Sequence, residues 1–323
     1  MKRYAHGGDI EEFKRKTGCK EVLDLSSNIN FIKPNVSVDL NSLKIDAYPN
    51  YDELKKLLAK TYGIKPKHIE LFNGATSAIT SLIKGLDYKR AYIYAPAYVE
   101  YKRVLESVGK KTIMIDRFKE LYQDIKRNSL VIFVNPSTPD GKYYDLDRLF
   151  DIWMKKDATI MIDESFLEFC EGCSSATKFL KSYKKLYIIK SMTKFYSSAG
   201  VRVGLVISSA KNIKKLLKSE PLWKISEFDK AYMIEALKDR EFREKSLKAN
   251  KKNKELLIES LKKNRYIKKI YKSDANFVLV KLGIKAKEFQ KSLENKCIMI
   301  RDCSNFDFLD EYHVRIAVKS FMV

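Results

Sequence analysis

A lysine among hydroxyl residues stands out in the segment KSMTKFYSSAGVRVG, which runs from Lys190 to Gly204. Lys194 follows an apolar run that predicts a buried strand, and Arg202 lies eight residues later. Because removal from water disfavours the charged form of an amine, a lysine at the end of a buried strand has a lowered pKa and becomes nucleophilic. Such an amine can attack an aldehyde and form a Schiff base.

Pyridoxal phosphate is an aldehyde cofactor that would need an anion site, a carboxylate at its pyridine nitrogen and an aromatic side chain on its ring. The segment FNGATSAITSLIKGL (Phe72–Leu86) predicts a turn that opens a helix, where the N–H groups of Ala75 and Thr76 would face a phosphate. Asp163 ends a predicted strand, and Tyr98 follows the sequence APA. Taken alone, such a turn is more often a simple helix cap and such an aromatic residue is usually in the core, but together these features favour a pyridoxal phosphate site.

The elements that would position these residues alternate between strands and helices. Continuous apolar runs favour strands covered on both faces, and their alternation with helical patterns predicts a mostly parallel sheet between helices. Ligands bind at the carboxyl ends of such strands, which is where Asp163, Ser191 and Lys194 fall. The predicted strands are Arg90–Pro96, Lys111–Asp116, Ser129–Pro136, Ala158–Glu164, Lys185–Ser191 and Arg202–Ser208.

A second, smaller α+β domain is predicted from the rest of the chain. The sequence turns charged and helical between residues 213 and 266, and two further strands follow at Asn276–Leu282 and Tyr312–Val318. We therefore predict a large cofactor-binding domain over residues 30–208 and a small domain over residues 1–29 and 209–323, with an N-terminal arm.

Composition narrows the class of protein. The 323 residues are 45% hydrophobic and carry a formal net charge of +22, which suits a large buried core and attraction of anionic partners. We find no apolar run long enough to cross a membrane, no signal-peptide pattern and no nucleic-acid-binding motif. A soluble, cytoplasmic protein that binds neither membrane nor nucleic acid is expected.

Histidine and cysteine are scarce. Three histidines argue against a multi-histidine metal site and against a Ser-His-Asp triad. Five cysteines, an odd number, favour free thiols in an intracellular chain. The segment CEGC (Cys170–Cys173) has the spacing of metal ligands but no second pair nearby, so no metal site is predicted.

The segment SMTKFYSSAGVRVG resembles the lysine motif of the fold-type I pyridoxal-phosphate enzymes, in their class I/II aminotransferase branch. The segments NGATSAI, APAYVEY, VNPSTPDG, MIDESFLEF and VRIAV occur in the family's order, so the resemblance covers nearly the whole chain. The resemblance implies the fold of aspartate aminotransferase, an α/β fold whose large domain has a seven-stranded, mostly parallel sheet beside a smaller α+β domain.

Within that branch, the chain is similar to the threonine-phosphate decarboxylases of cobamide synthesis, which are relatives of histidinol-phosphate aminotransferase. This narrower likeness rests on the segments HGGDI, LDLSSNINF, YPNYDEL, DESFLEF, PLWKIS and MIRDCSNF. It implies pyridoxal 5'-phosphate as the cofactor, a small phosphorylated amino acid as the substrate and a homodimer as the assembly.

The resemblance also implies a role for each residue of the predicted site. Lys194 would carry the cofactor, Asp163 would pair with its pyridinium nitrogen and Tyr98 would stack on its ring. The cofactor phosphate would be held by Ala75, Thr76, Ser191 and Arg202, and by Tyr48 of a neighbouring subunit. Arg315 would bind an anionic end of the substrate and Arg301 its phosphate, in a pocket also lined by His6, Asn28 and Lys319.

The chain departs from the family pattern in three places. Thr138 stands where an asparagine normally donates to the ring hydroxyl oxygen, and a threonine hydroxyl is shorter. Phe166 stands where many aminotransferases have a tyrosine, as is typical of the decarboxylase branch. The sequence ends at KSFMV, where relatives generally continue into a helix, so we expect a trimmed small domain with an exposed apolar patch or a different dimer contact.

Three functions are compatible with these residues. The first is decarboxylation of O-phosphothreonine or O-phosphoserine, between which the sequence does not decide. The second is an aminotransferase such as one for histidinol phosphate, against which HGG near the N-terminus and Phe166 count. The third is a regulator or nucleic-acid binder without catalysis, which would form no Schiff base or would bind nucleic acid with a steep salt dependence.

Overall fold

The computed structural model of the protein describes residues 7–320. Its α-helices are α1 (Ile10–Thr17), α2 (Asp52–Thr61), α3 (Gly74–Gly85), α4 (Val99–Ser107), α5 (Asp147–Lys155), α6 (Met192–Phe195), α7 (Ala210–Leu216), α8 (Glu227–Lys238), α9 (Phe242–Lys262) and α10 (Ala286–Glu294). Its strands are β1 (Leu23–Asp24), β2 (Ile69–Asn73), β3 (Arg90–Ala95), β4 (Lys111–Asp116), β5 (Ser129–Val134), β6 (Thr159–Asp163), β7 (Leu186–Ser191), β8 (Val203–Ser208), β9 (Ile267–Ile270), β10 (Phe277–Leu282), β11 (Ile298–Met299), β12 (Arg301–Asp302) and β13 (His313–Ala317). Short 3-10 helices occur at Leu40–Ser42, Pro66–His68, Leu167–Phe169 and Ala176–Phe179. No helix within residues 7–320 combines the length and the apolar content needed to cross a membrane.

Seven strands form the central sheet of the larger unit, in the order β2-β8-β7-β6-β5-β3-β4. Strands β7, β6, β5, β3 and β4 run parallel to one another, whereas β8 runs antiparallel to both of its neighbours. Strand β2 therefore points the same way as the five parallel strands. The predicted α/β fold with a mostly parallel seven-stranded sheet is confirmed.

Helices cover both faces of this sheet. In β5, Val131 and Phe133 pack in the core beneath α2, α5 and α8, whereas Leu130, Ile132 and Val134 pack in the core beneath α3 and α4. Burial of such a side chain stabilises the fold by roughly 1.5–3 kcal/mol. Because both faces are buried, these strands are apolar throughout instead of alternating between apolar and polar residues.

Strand β2 lies next to β8 at the edge of the sheet, and its sequence, IELFN, does not predict it. Glu70 in its centre is buried, and its carboxylate pairs with Lys55 at 2.9 Å and with Lys224 at 2.7 Å. Burying a carboxylate is costly unless cations neutralise it, and one of these lysines lies 154 residues away along the chain. The compensation therefore exists only in the folded protein.

The smaller unit contains a four-stranded antiparallel sheet, β12-β13-β10-β9, and a two-stranded parallel sheet that joins β1 to β11. Helices α9 and α10 supply Leu257, Leu261 and Phe289 to its core. Side chains between Ile225 and Phe242 pack instead in the core of the larger unit, beyond the boundary predicted at residue 208. The division of the chain at that boundary stays a prediction.

Two cysteine pairs correct the prediction of free thiols. Cys19 and Cys297 form a disulfide with their Cα atoms 5.8 Å apart, and Cys170 and Cys173 form a second with 5.6 Å between Cα atoms. Cys303 is a free, buried thiol. Cys19 and Cys297 lie 278 residues apart, so their spacing in the sequence carried no information about their contact.

Candidate active site

A cavity of about 320 Å³ lies at the edge of the large sheet where β2, β3, β5, β6 and β7 end. The carboxyl ends of parallel strands meet at one edge of a sheet, which brings together residues from distant parts of the chain. The predicted residues that line the cavity are Asn28, Ala75, Thr76, Tyr98, Thr138, Asp163, Ser191, Lys194, Arg202, Arg301 and Arg315. Tyr48 and Lys319 do not line it, and His6 lies outside the described residues.

Lys194 presents a half-buried amine at the wall of the cavity. It lies in the short helix α6, directly after β7, and its carbonyl oxygen accepts a hydrogen bond from the Asn30 N–H at 3.0 Å. Burial, together with the charges of Arg315 and Arg202, lowers the pKa of Lys194 to about 8, against the opposing effect of Asp163. A substantial fraction of this amine is therefore neutral near pH 8 and able to act as a nucleophile.

Asp163 is a buried carboxylate with both oxygens held in place. Its Oδ2 accepts a hydrogen bond from the Tyr101 hydroxyl at 2.5 Å, and its Oδ1 accepts one from the Ser165 N–H at 2.8 Å. Burial and the nearby Asp163 charge raise the pKa of Tyr101 well above its ordinary value, so its hydroxyl remains a donor. Sequence reasoning missed Tyr101, although it lies one helical turn after Tyr98.

The start of α3 and Arg202 form an anion site. Gly74, the first residue of α3, has φ of 74°, and a Cβ at this position would lie 2.6 Å from Arg202 Nη2. The guanidinium therefore packs directly on the start of the helix, whose N–H groups at Ala75 and Thr76 have no carbonyl partner within it. Unpaired N–H groups, the helix dipole and a cation together suit a phosphate group.

Hydroxyl groups line the cavity beside this anion site. Ser191 Oγ and Thr193 Oγ1 lie 2.8 Å apart, and Thr193 was not among the predicted residues although it lies next to Lys194. Tyr98 makes a hydrogen bond with Thr76, and burial raises the pKa of its hydroxyl. Its ring packs edge-on against Tyr101, with ring centres 5.9 Å apart.

Arg301 and Arg315 are cross-strand partners in the β12–β13 pair and both line the cavity. Arg315 Nη2 donates to the Ser26 carbonyl at 2.8 Å, and Arg301 Nη2 donates to Asn305 Oδ1 at 2.7 Å. The Arg301 guanidinium also packs over the ring of Phe306. Burial lowers the pKa of Arg315 to about 10 and also lowers that of Arg301, but both remain cationic at neutral pH.

Thr138 and Phe166 are two of the positions where the sequence departs from the family pattern, and both line the cavity. Thr138 Oγ1 accepts a hydrogen bond from Arg315 Nη1 at 3.2 Å, which leaves its O–H able to donate. Phe166 is buried and packs edge-on against Phe277, with ring centres 5.0 Å apart. Of these two positions, Phe166 is therefore the one that offers the cavity no donor.

A buried ion pair holds the loop that carries Thr138. Arg117 pairs with Asp140, and Arg117 Nη2 also donates to the Thr138 carbonyl at 3.2 Å. Ser137 Oγ donates to the same Asp140 carboxylate at 2.6 Å. Breaking a buried pair of this kind leaves an uncompensated charge, so it fixes the position of the loop. Sequence reasoning missed Arg117, which lies far from the loop along the chain.

Three further predicted residues, of which only Asn28 lines the cavity, make different contacts. Lys319 Nζ donates to the Ile29 carbonyl at 2.7 Å, which directs its amine to the backbone of the N-terminal segment. The side-chain oxygen of Asn28 is buried without a hydrogen-bond partner and belongs to a residue that lines the cavity. Tyr48 is 75% exposed and stacks on Trp223 with ring centres 3.9 Å apart.

The family model of aminotransferase class I and II matches residues 22–321, and the chain belongs to that family. Its cofactor is pyridoxal 5'-phosphate. A histidinol-phosphate aminotransferase from Sinorhizobium meliloti in complex with this cofactor shares the fold with a TM-score of 0.82 and 17% identity, over 99% of this chain and 94% of that one. Pyridoxal phosphate requires an amine, a carboxylate and an anion site. The cavity offers these groups in Lys194, in Asp163 and at the start of α3.

Individual relatives have two kinds of activity in their names. An adenosylcobalamin biosynthesis bifunctional protein of Leptospira interrogans is 30% identical over 98% of this chain, which spans 39% of that protein. A protein of Caldanaerobacter subterraneus named "Putative threonine-phosphate decarboxylase" is 29% identical over 99% of this chain and 90% of its own length. The solved histidinol-phosphate aminotransferase of Clostridium acetobutylicum has 32% identity and a TM-score of 0.82, over 93% of this chain and 95% of that one.

Proposed function

We propose that the protein is a pyridoxal-phosphate-dependent decarboxylase of an O-phosphorylated amino acid, either O-phospho-L-threonine or O-phospho-L-serine. The product would be a phosphorylated amino alcohol for the nucleotide loop of a cobamide. The pairing of two buried arginines across β12 and β13 carries this proposal. The names of the relatives from Leptospira and Caldanaerobacter support it.

The charge balance of the cavity suits a substrate with more than one anionic group. Arg301 and Arg315 supply two cations beside each other, at the side of the cavity formed by the smaller unit. The cofactor phosphate would take the separate site at α3 and Arg202. The arginine pair is therefore left for the substrate, and a phosphate is the anion that two guanidinium groups bind strongly.

The hydrogen bonds of Arg315 fix its position at the wall of the cavity. Each of its two terminal nitrogens already donates one bond inside the protein, to Thr138 and to Ser26. These bonds fix the orientation of the guanidinium, and three of its five N–H groups are left for an anionic group of the substrate. With the phosphate held by Arg301, the carboxylate can turn to the orientation in which its bond to Cα breaks.

The protein side chains divide the remaining work. When bound, pyridoxal phosphate accepts the electron pair that CO2 leaves on Cα. Asp163, fixed by Tyr101 and Ser165, would keep a proton on the ring nitrogen. Lys194, whose pKa of about 8 allows it to gain and lose a proton near neutrality, would return a proton to Cα.

The alternative is transamination of the histidinol-phosphate type, which the similarity to the Clostridium acetobutylicum structure favours. Incubating the purified holoenzyme with each phosphoamino acid separates the two. We expect CO2 release without a keto acid acceptor. A keto product that forms only when 2-oxoglutarate is present, with no CO2, would replace our proposal by the aminotransferase.

A substitution at Arg301 tests its assignment to the substrate phosphate. We expect Arg301→Ala to weaken phosphorylated substrates about 10- to 100-fold in kcat/KM and to change unphosphorylated amino acids far less, because a charged hydrogen bond is lost. Arg265→Ala, which removes an arginine outside the cavity, is the matched control. Equal weakening of both substrate classes would remove Arg301 from the phosphate site.

We also propose a homodimer whose subunits share their active sites. Tyr48 and Trp223 form an exposed aromatic pair on the surface, where Leu222 and Ile45 are exposed as well. A stacked pair of exposed aromatic rings supports the proposal of an interaction surface at this position. A second copy of the chain would place its Tyr48 at the cofactor phosphate of its partner, as the family resemblance implies.

A further inference from the structure

We propose that the Cys19–Cys297 disulfide is a reversible redox tether that holds the N-terminal arm in the cavity. By N-terminal arm we mean residues 7–29. Reduction would release this arm and weaken the binding of anions at Arg315, so a small dithiol would lower substrate affinity. Only the effect on substrate rests on the function proposed above, because the arm lines the cavity whatever reaction takes place there.

The two cysteines are placed where exchange with a small thiol is feasible. Cys19 follows Gly18 at the end of α1, and Cys297 precedes β11. The disulfide therefore joins the N-terminal helix to a strand of the smaller unit. Their Cα atoms are 5.8 Å apart, within the usual range for a disulfide. Both cysteines are partly exposed, which gives a reductant access to the sulfur atoms.

Within the arm, α1 has few apolar contacts, whereas Leu25 packs in the core of the smaller unit and its N–H donates to the Met299 carbonyl at 2.8 Å. Of the eight residues of α1, Phe13 alone is buried. The β1–β11 pair contains only two residues in each strand. A helix with one buried side chain opens at low free-energy cost, so the covalent link next to α1 contributes a large share of the attachment of that helix.

The arm contacts the anion-binding side of the cavity directly. The Ser26 carbonyl accepts a hydrogen bond from Arg315 at 2.8 Å, and Ser26 Oγ accepts one from the Gly8 N–H at 2.7 Å. Asp24 Oδ1 accepts bonds from the Ser26 N–H and hydroxyl at 2.8 and 2.6 Å. Since Gly7, Ser26 and Asn28 line the cavity, movement of the arm would change both its shape and the orientation of Arg315.

The chemistry of the switch is thiol–disulfide exchange. One thiolate of a dithiol attacks one sulfur of the Cys19–Cys297 bond, which breaks, and the second thiolate completes the exchange. The two electrons and two protons of the dithiol end on the thiols of Cys19 and Cys297, while the dithiol leaves as a cyclic disulfide. Oxidised glutathione reverses the process and yields two molecules of glutathione.

The remaining cysteines are less suited to such a role. Cys170 and Cys173 lie within a single turn, so their bond restrains no separate segment. Cys303 is fully buried and has no partner cysteine. The Cys170→Ser/Cys173→Ser double variant therefore gives a background in which redox reagents act on the Cys19–Cys297 pair alone.

The test compares the oxidised and reduced holoenzyme in this background. After dithiothreitol, we expect native-state alkylation to add two labels, on Cys19 and Cys297. We expect hydrogen exchange in residues 7–29 to accelerate at least tenfold, and the inhibition constant of inorganic phosphate as a probe of the cavity to rise about tenfold. The Cys19→Ser/Cys297→Ser double variant should behave like the reduced protein and respond to neither reagent.

Two results would overturn the tether. One is two added labels with unchanged exchange in residues 7–29 and unchanged phosphate affinity. The other is a disulfide that dithiothreitol reduces only when the protein unfolds, as judged by circular dichroism. Absence of CO2 release in both redox states would count against the proposed decarboxylase and leave the exchange readout to decide the tether independently.

Discussion

At the scale of single residues, the cavity holds one amine among fixed cations. Arg202 is held by the Ala199 carbonyl at 2.9 Å, and Arg315 by Thr138 and Ser26. The positive charges of both guanidinium groups disfavour a charge on Lys194. The pKa of Lys194 is thereby lowered to about 8, a value at which the amine can act as a nucleophile and can also gain and lose a proton.

We predict that the rate at which the apoprotein attaches pyridoxal phosphate at Lys194 rises with pH up to about 8 and then levels off. The pKa of Lys194 is lowered, so the neutral amine that attacks predominates above pH 8 instead of above the ordinary lysine value. Below that pH the rate should fall about tenfold per pH unit. Absorbance of the attached cofactor, followed in stopped-flow mixing, measures it.

Two variants check the cause of this pH dependence. Lys194→Ala should attach no cofactor at any pH, show no label after borohydride and keep a native circular dichroism spectrum. Arg315→Met, which removes a cation near the amine, should move the midpoint to higher pH, whereas Arg265→Met outside the cavity should not. An unchanged midpoint in Arg315→Met would contradict the electrostatic explanation.

At the scale of elements, the anion site depends on how closely α3 packs against β8. A Cβ added to Gly204 of β8 would collide with the backbone N of Ala75 and the carbonyl carbon of Gly74. Gly74 itself lies in the left-handed region and touches Arg202. Two glycines on facing elements therefore let the helix start reach the cavity edge.

We predict that Gly74→Ala lowers the free energy of unfolding by about 1–3 kcal/mol, because the new side chain needs a left-handed φ and displaces Arg202. The same change should weaken pyridoxal phosphate at least tenfold in an absorbance titration. Gly85→Ala, at the other end of α3 with no atom within 4 Å of the new Cβ, should be neutral or stabilise by about 0.5–1 kcal/mol. Equal effects of the two substitutions in urea denaturation would contradict this account.

At the scale of the whole molecule, the exposed aromatic pair predicts the assembly state. Trp223 is 51% exposed, and Lys224 beside it is anchored to Glu70 at 2.7 Å, which fixes the surface segment that carries the ring. We predict that Trp223→Glu converts a dimer to monomers in sedimentation velocity, because it places a charge in an apolar contact. Tyr122→Glu, at another exposed aromatic residue, should leave the assembly unchanged.

The proposed sharing of active sites between subunits makes a further prediction about mixed subunits. Lys194→Ala and Tyr48→Ala subunits, each with reduced activity alone, should recover up to about a quarter of wild-type activity when unfolded together and refolded, since hybrid dimers contain one intact site. Assay of CO2 release before and after mixing measures this recovery. No gain on mixing, with hybrid dimers present by mass spectrometry, would contradict a contribution of Tyr48 across the interface.

The amino-acid sequence by itself determined the chemistry around Lys194 and the sheet that supports it. The apolar runs that end at Asp163 and Ser191 are local patterns, and parallel strands bring their carboxyl ends to one edge whatever the details of packing. The α/β fold, the cofactor and the cavity position of Lys194 could therefore be predicted from residues close together in the chain.

Only the tertiary structure decided which distant residues complete these features. The bond from Tyr101 to Asp163 joins residues 62 apart, and that from Arg315 to Thr138 joins residues 177 apart. The ion pairs of Glu70 and the Cys19–Cys297 disulfide are of the same kind. Local periodicity records which face of an element is buried, but it does not record which side chain from elsewhere arrives at that face, because that depends on how the elements pack.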